Sequence, residues 1–483
     1  MSVPTYNPQV QLILRKTVRA HAGVEDRFGG GSAVIDLSPY LGEGSSITTQ
    51  RGINQPAGSF SIRVGDRLYP ALKQAPGAVD SLYALVEPMD VIEIRMRRTP
   101  GSGPTPLVMR GLVSDVRSDA AMSEDGKPMR TVTITGQDWG KWLQIVQIKY
   151  LRGQSIADLL SQMTGTLLET RYGIRYMVSE AGVFVNELIT KVVNPFIVAA
   201  SADASASLPP FVVDVSGADS GDMVSPINAQ ASPQGSLWTY LQQYGNLGPF
   251  YEAMIDDLES GPTLVYRKPP YLALGTQTPI FPDSSPTRFP VASEDVVSLS
   301  VSRSDADVAN WYFVRAPHMD MQQPIDQILQ SQTGAQLSLA NYPNSAASIY
   351  GVRMMEVETQ HGVLPKGEKA AVITPDQNAL TGYTMRQIKY LQDSNQDNIA
   401  FEQGSIVFKG NEAVKPGTYF DLDRNGMVSD GYITSVTQTF EPFRSFKTSV
   451  RFIRGNGWAN RSKMDASGNK NPYRALIGKG VYS

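Results

Sequence analysis

The chain has 483 residues, of which 41% are hydrophobic and 18% charged, and it contains 42 Gly and 32 Pro. This length predicts several domains, and the composition excludes a disordered chain and favours a turn-rich, mainly β protein. The net charge of −3 indicates no general affinity for nucleic acid or anionic membranes. Because there is no cysteine, disulfides, thiolate metal sites and a cysteine nucleophile are also excluded.

The first 150 residues show strand patterns. Val10–Val18 and Ala33–Leu37 predict two strands, and Gly58–Val64 alternates apolar and polar residues. Three more strands form an early meander: Val91–Arg97, Gly111–Ser118 and Arg130–Trp139. A short helix is predicted near Val79–Leu85. We therefore expect residues 1–150 to form one antiparallel β-barrel.

Helical patterns appear after residue 150. Ser155–Glu169 places its apolar residues at a helical period, and Ser236–Tyr244 predicts a second short helix. Between them, the small and polar residues of Ala199–Pro210 indicate a loop. Gly261–Lys268 predicts a strand. Residues 151–290 are thus predicted to be an α/β insertion domain.

The remainder of the chain returns to β structure. Asp295–Ser302 and Asn310–Ala316 predict strands, 317–378 is irregular, and Tyr383–Gln392 predicts a helix. Gly404–Gly455 alternates again and predicts a second meander. We expect a second barrel from 291–316 and 400–457, an insertion of loops and one helix at 317–399, and an extended tail at 458–483.

The late meander repeats the order of the early one. Its matching segments are Lys415–Asp423, Gly431–Gln438 and Lys447–Trp458. In both, a Gly-led strand is followed by a strand that runs into Gly and Trp. This order predicts an internal duplication, with shorter connections in the late copy.

Targeting and membrane signals are absent from the printed sequence. The N-terminus lacks the basic-then-apolar pattern of a signal peptide, and the longest apolar run noted, Phe196–Ala200, is short. We therefore expect no membrane span and synthesis in a cytoplasm.

No group of residues in the sequence forms a recognisable catalytic pattern. His21, His318 and His361 stand alone, and the glycine run at 28–32 lacks the lysine of a phosphate-binding loop. The acidic residues are interpreted as solvated turn residues: Asp115, Asp119, Glu124, Asp125, Asp256, Asp257 and Glu259. The tryptophans are interpreted as core residues, and Arg95, Arg97 and Arg98 as the outer face of a strand. We predict no catalytic, cofactor-binding or metal site, and no enzyme.

Several runs resemble the baseplate hub proteins of phage tails, which are related to the hub part of type VI secretion spike proteins. They are Thr49–Val64 (TQRGINQPAGSFSIRV), Gly111–Val116 with Thr133–Trp139, the segment GQSIADLL from Gly153, Ser236–Gly261, Ser298–Asn310 (SLSVSRSDADVAN), and Gly404–Gly455 with its FKGN run. The resemblance covers most of 45–456, and it is weakest over 317–378 and after 458.

This resemblance implies a mainly β (α+β) fold with two tail-tube-like antiparallel barrels and α/β insertions. It implies a homotrimer that joins the hexameric tail tube to the trimeric central spike and lines the DNA channel. The expected partners are tail tube or tube-initiator proteins, the spike, other baseplate proteins and the tape measure protein, with DNA passing without specific binding. The expected location is the virion tail tip or baseplate, after assembly in the host cytoplasm.

Two other functions remain open from the sequence. The first is a tail-associated peptidoglycan or polysaccharide hydrolase that uses carboxylates in 115–125 or 252–259, since glycoside hydrolysis needs two carboxyl groups across a cleft. The second is a module that binds a host receptor.

Overall fold

The computed structural model describes residues 7–16, 34–66, 81–101, 103–122, 128–148, 179–201, 208–224, 235–273, 278–281, 286–315, 335–336, 347–359, 361–362, 377–424 and 427–457. The helix predicted at Ser155–Glu169, most of 317–378 and the tail 458–483 lie outside these residues. The chain divides into two compact units, and the first comprises Met1–Arg267, Gly410–Ala413 and Thr437–Thr448. The five-part domain division expected from the sequence stays a prediction.

The first unit contains fourteen described strands of its own. They are β1 (Gln9–Arg15), β2 (Val34–Asp36), β3 (Ser46–Gly52), β4 (Ser59–Gly65), β5 (Val91–Arg97), β6 (Leu107–Met122), β7 (Pro128–Asp138), β8 (Gln147–Ile148), β9 (Ser179–Glu180), β10 (Val212–Asp214), β11 (Met223–Val224), β12 (Gly235–Ser236), β13 (Glu252–Leu258) and β14 (Gly261–Arg267). Its helices are α1 (Leu82–Leu85), α2 (Lys141–Ile145), α3 (Ala181–Leu188), α4 (Asn194–Ser201) and α5 (Leu237–Tyr244).

The second unit supplies the remaining elements. Its strands are β15 (Arg288–Ala292), β16 (Val296–Ser302), β17 (Trp311–Arg315), β18 (Ala335–Gln336), β19 (Met354–Glu358), β20 (His361–Gly362), β21 (Glu402–Lys409), β22 (Tyr419–Arg424), β23 (Met427–Glu441) and β24 (Ser445–Asn456). Its helices are α6 (Ala347–Tyr350) and α7 (Gln377–Asn395). The turn between β23 and β24, with the adjoining ends of both strands, belongs to the first unit.

Two sets of strands within one 13-stranded sheet share one strand order. In the first unit the order is β1-β5-β6-β7-β4-β3, with β2 added beside β1, and in the second it is β15-β22-β23-β24-β21-β16. Each strand of one list has a counterpart at the same place in the other. The internal duplication expected from the sequence is therefore present in the topology, and the prediction of a mainly antiparallel β fold is confirmed.

The first strand of each list differs in direction. β1 runs antiparallel to β5, whereas β15 runs parallel to β22. β2 is antiparallel to β1, so β2 and β5 point the same way. β15 directly precedes β16 along the chain, as β2 precedes β3. β15 therefore has the direction of β2, but it occupies the sheet position that β1 has in the first repeat. Among the described residues, the second repeat therefore has one strand fewer than the first at this end of the sheet.

A glycine marks the same position in both repeats. Gly111 pairs with Ile92 on β5, and Gly431 pairs with Phe420 on β22. A Cβ atom on Gly111 would lie 2.6 Å from the Phe60 ring, and one on Gly431 would lie 2.7 Å from the Phe420 ring. Both sets of strands therefore need a residue without a side chain where an aromatic ring lies against the strand.

Each set of strands covers its own apolar core. The first core includes Leu12, Ile62, Ile94, Val113 and Ile134, all fully buried. The second core is built from the equivalent strands and includes Ile406, Phe420, Leu422, Ile433 and Val450. Removing each such side chain from water contributes about 2 kcal/mol, so these alternating positions are the main source of sheet stability.

The helices agree only in part with the sequence expectations. Helix α5 begins where predicted, because Ser236 Oγ accepts a hydrogen bond from Thr239 N at 3.4 Å and so caps the first turn. Helix α1 is capped in the same way by Ser81. Helix α7 is longer than the predicted Tyr383–Gln392. The loop expected at Ala199–Pro210 is wrong at its start, because α4 continues through Ser201.

The segment Ala181–Ser201 is helical throughout and was not recognised from the sequence. Helices α3 and α4 are joined by a π-helical stretch, Ile189–Val193. Phe184, Leu188 and Ile197 are fully buried. Ala181–Ala200 is long and apolar enough to cross a membrane by length and composition, and 39% of this stretch is buried within the protein. The absence of a membrane span stays a prediction.

Candidate functional site

The acidic residues near 115–125 do not form a described cleft. Asp115 is exposed on β6, and Asp119 on the same strand accepts a hydrogen bond from Arg117 Nε at 2.8 Å. They therefore lie in a strand, not in the turn that was predicted. Glu124 and Asp125 lie outside the described residues.

Glu259 covers the outer face of β5. Its carboxylate accepts two hydrogen bonds from Arg95, at 2.7 and 2.9 Å. The Arg95 side chain is largely buried as a result, while its neighbour Arg97 is only half-buried. The interpretation of this arginine row as an outer strand face is right in direction, but Arg95 is covered by protein.

Asp257 is buried, so its interpretation as a solvated turn residue is wrong. It lies on β13, forms an ion pair with Arg51, and accepts a hydrogen bond from Arg110 N at 2.9 Å. Burial raises the pKa of Asp257, although the Arg51 charge opposes this shift. Asp256, its neighbour on β13, is half-buried.

A second buried carboxyl group, that of Asp138, lies close enough to Asp257 to interact with it. It ends β7, and its Oδ1 accepts a hydrogen bond from Gly140 N at 2.9 Å. Burial, together with the nearby negative charge of Asp257, raises the pKa of Asp138 to about 6. The sequence offered no sign of this pairing, because the partners are more than one hundred residues apart and meet only through folding.

A third buried acid shares Arg110 with Asp257. Glu93 on β5 forms ion pairs with three arginines: Arg15, Arg95 and Arg110. Burial alone would raise the pKa of Glu93, but the hydrogen bond from Arg15 and the three charges lower it below its ordinary value. Arg110 links this group to β13, because its backbone N also donates to Asp257.

Two cavities test the hydrolase alternative. One, of about 530 Å³, lies on the outer face of β3, β4, β6 and β7 and is lined by Ser, Thr and Gln side chains and Gly136 around Phe60. Another, of about 390 Å³, lies in the second unit beside Arg454, and Asp307 and Glu402 are among its lining residues. Among the described acids, four have a raised pKa: Asp138, Asp257, Asp397 and Asp430. None of them lines either cavity.

The histidines and tryptophans occupy structural positions where they are described. His361 is fully buried in β20, whereas His21 and His318 lie outside the described residues. Trp139, Trp142 and Trp238 are buried, as predicted, Trp311 is half-buried and stacks on Phe313, and Trp458 is not described. In the described part of the chain, no three His, Asp or Glu side chains come together to hold a metal.

Several large apolar side chains are strongly exposed. Phe443, in the turn between β23 and β24, is 91% exposed and has a φ of 62°. Met122, at the equivalent end of β6, is 74% exposed. Val297 on β16 is 60% exposed, and β16 ends the strand order of its sheet. Large apolar residues on turns and end strands are typical of contact surfaces.

Comparison with known proteins gives similarity in structure. No protein-family model matches, and no curated protein sequence matches. A tail protein from Neisseria meningitidis is 11% identical with a TM-score of 0.44, covering 92% of this chain and 96% of its own. A prophage tail protein from Shewanella oneidensis is 10% identical with a TM-score of 0.46, covering 92% and 97%.

A third similar structure comes from a secretion system. An Escherichia coli component of the type VI secretion system, itself described as similar to bacteriophage tail proteins, is 9% identical with a TM-score of 0.35, covering 86% of this chain and 75% of its own. The chain is thus similar in structure to these tail and secretion-system proteins, at identities of 9–11%.

Proposed function

We propose that the chain is a structural hub of a phage tail baseplate, a homotrimer that joins the hexameric tail tube to the trimeric central spike and lines the DNA channel. The observation that carries this proposal is the repeated strand order, β1-β5-β6-β7-β4-β3 and β15-β22-β23-β24-β21-β16. One chain therefore contains two equivalent sets of strands.

Duplication suits a junction between two symmetries. Closed rings require matched contacts between their subunits. Three chains with two equivalent sets of strands each provide six similar modules toward a hexameric tube, and they keep threefold symmetry toward a spike. A chain with one such set would provide only three such modules in a trimer.

The exposed surfaces support assembly over catalysis. Phe443, Met122 and Val297 place apolar side chains on turns and on an end strand, where a neighbouring module can cover them. The proposed partners are tube or tube-initiator proteins, the spike, other baseplate proteins and the tape measure protein. The proposed location is the virion tail tip, after assembly in the host cytoplasm.

The hydrolase alternative lacks a supporting observation. Three acids of 252–259 are engaged in ion pairs, Glu252 with Arg267, Asp257 with Arg51 and Glu259 with Arg95, and the described acids of 115–125 lie on the surface of β6. We expect the purified chain to leave cell-wall material intact in a zymogram. A cleared zone abolished by Asp115→Asn and Asp119→Asn would establish the hydrolase instead.

Sedimentation tests the proposed oligomer. The purified chain is expected to have a mass three times that of one chain in sedimentation, or, when its tail's spike protein is required, the mass of three chains plus the spike. A chain that remains monomeric with both spike and tube proteins present contradicts the proposal.

A further inference from the structure

The two repeats each contain one long hairpin at the same place in the sheet. In the first repeat it is β6–β7, with strands of 16 and 11 residues, and in the second it is β23–β24, with strands of 15 and 12 residues. The β6–β7 hairpin extends beyond β4, whereas β23 of the second hairpin pairs with β3. Equivalent elements in duplicated modules are expected to make equivalent contacts when the modules alternate around a ring.

The tip of the β23–β24 hairpin is packed into a core. Thr437–Thr448 belongs to the first unit, and its Phe440 and Phe446 side chains are part of that unit's apolar cluster. Gly410 N donates a hydrogen bond to Phe446 O at 2.7 Å. The ring of Phe446 also lies against Gly410, where a Cβ atom would be only 2.1 Å away. This tip is therefore fixed by both apolar and backbone contacts.

The tip of the β6–β7 hairpin has no such cover within the described residues. β4 pairs with β7 only as far as Thr131, while β6 and β7 continue to pair as far as Met122 with Pro128. The end of the hairpin is therefore a two-stranded ribbon, which is marginally stable by itself in water. Met122 is 74% exposed and Met129 is 48% exposed on it.

We propose that this ribbon packs against the second unit of a neighbouring copy of the same chain. It would make between chains the contact that the tip of β23–β24 makes with the first unit inside one chain. The partner is a second copy because only this chain carries the alternating repeats on which the equivalence rests. The inference depends on the proposed trimer and adds to it the element that links one chain to the next.

Photocrosslinking tests the contact directly. We would place the crosslinker in a variant, Met122→p-benzoylphenylalanine, and mix ¹⁴N-labelled with ¹⁵N-labelled full chains before illumination. The expected result is mixed-isotope crosslinks from position 122 to peptides of the second unit. The matched control is Met354→p-benzoylphenylalanine, at another strongly exposed strand methionine, which should not reproduce those crosslinks.

A substitution provides the second readout. The variant Met122→Asp is expected to weaken trimer association at least about tenfold, because it places a charge where an apolar side chain would be buried. Met129 pairs with Ala121 and therefore lies on the opposite face of the ribbon, so Met129→Asp should weaken association less. The circular dichroism spectrum should be unchanged, and Met354→Asp should associate normally. A trimer whose crosslinks from position 122 miss the neighbour's second unit overturns this inference and leaves the proposed function standing. A chain that never trimerises overturns both.

Discussion

Phe443 has a positive φ of 62°, which is unfavourable for its bulky side chain. Glu441, Pro442, Phe443 and Arg444 form a turn in which Arg444 N donates to Glu441 O at 3.1 Å, with proline second and Phe443 third. The positive φ of Phe443 makes this a type II turn, in which the third residue is usually Gly or Asn. A bulky residue there costs about 1 kcal/mol, which is difficult to explain unless its ring is used for contact.

Substitution of Phe443 tests whether its positive φ lowers the stability of the chain. Phe443→Asn is expected to raise the free energy of unfolding by about 0.5–1 kcal/mol, because Asn tolerates the left-handed conformation and the exposed ring loses little burial. Phe443→Leu keeps the unfavourable backbone and should show no gain. Urea unfolding of the purified chain measures both, and an unchanged or lower midpoint for Phe443→Asn would show that the turn is not strained.

Asp138 should make stability depend on pH. Its pKa is about 6 in the folded chain against 3.8 as the ordinary value, so the folded state holds this proton more tightly than the unfolded state. Its contribution to stability is complete below about pH 4 and is lost as the pH rises through about 6. The loss amounts to about 3 kcal/mol from this shift alone.

Asp138→Asn isolates this effect, because an amide cannot ionise but can still accept the bond from Gly140 N. Relative to the unsubstituted chain, the variant is expected to gain about 3 kcal/mol of unfolding free energy between about pH 4 and about pH 7. Urea unfolding across this range measures the difference. A difference that stays constant with pH would mean that folding does not raise the pKa of Asp138.

At the scale of the elements, the glycine under the aromatic rings tests the duplication. Gly431→Ala would place a methyl group 2.7 Å from the rings of Phe420 and Phe452, and Gly111→Ala would meet Phe60 in the same way. All three rings are packed in apolar cores, so each substitution should lower the free energy of unfolding by about 1–3 kcal/mol.

Gly65→Ala is the matched control for these two variants. Gly65, like the other two glycines, belongs to a strand of the main sheet, where it is the last residue of β4. A Cβ atom there meets nothing within 4 Å. This variant should be neutral or gain up to about 1 kcal/mol, because alanine has less freedom to lose on folding. Denaturant midpoints that fall by equal amounts in all three variants would refute the role of the aromatic rings.

The strands were predictable because their signal is local. Gly58–Val64 alternates on a two-residue period, and the structure places a strand at Ser59–Gly65. Helix α5 was predictable because Ser236 provides a cap in the sequence itself. Ala181–Ser201 was missed because its apolar residues include many β-branched side chains, which weaken the helical signal, and because its burial depends on tertiary packing.

The buried charges could not have been predicted from the sequence. Asp257 and Arg51 are separated by 206 positions, and their pairing requires β13 to lie against the main sheet. In the sequence, Asp256 and Asp257 have the same appearance as solvated acids in a turn. Only the register of β13 with β14 decides which of the two is directed inward.

At the scale of the whole molecule, the repeated strand order is what links fold to function. The order of early and late segments was visible in the sequence, although single residues matched poorly. The exchange of β1 for β15 was not visible, because the direction of a strand leaves no mark on its own residues. The two modules should therefore be similar in outline and different at this end of the sheet.

Electron microscopy of the purified chain, assembled with its spike where needed, tests the central proposal most directly. The account predicts a ring with an open lumen whose class averages show six similar densities at low resolution and threefold symmetry at higher resolution. The alternation should follow the difference between β1 and β15. A monomer, a twofold particle, or a ring of six chains would contradict the proposed hub.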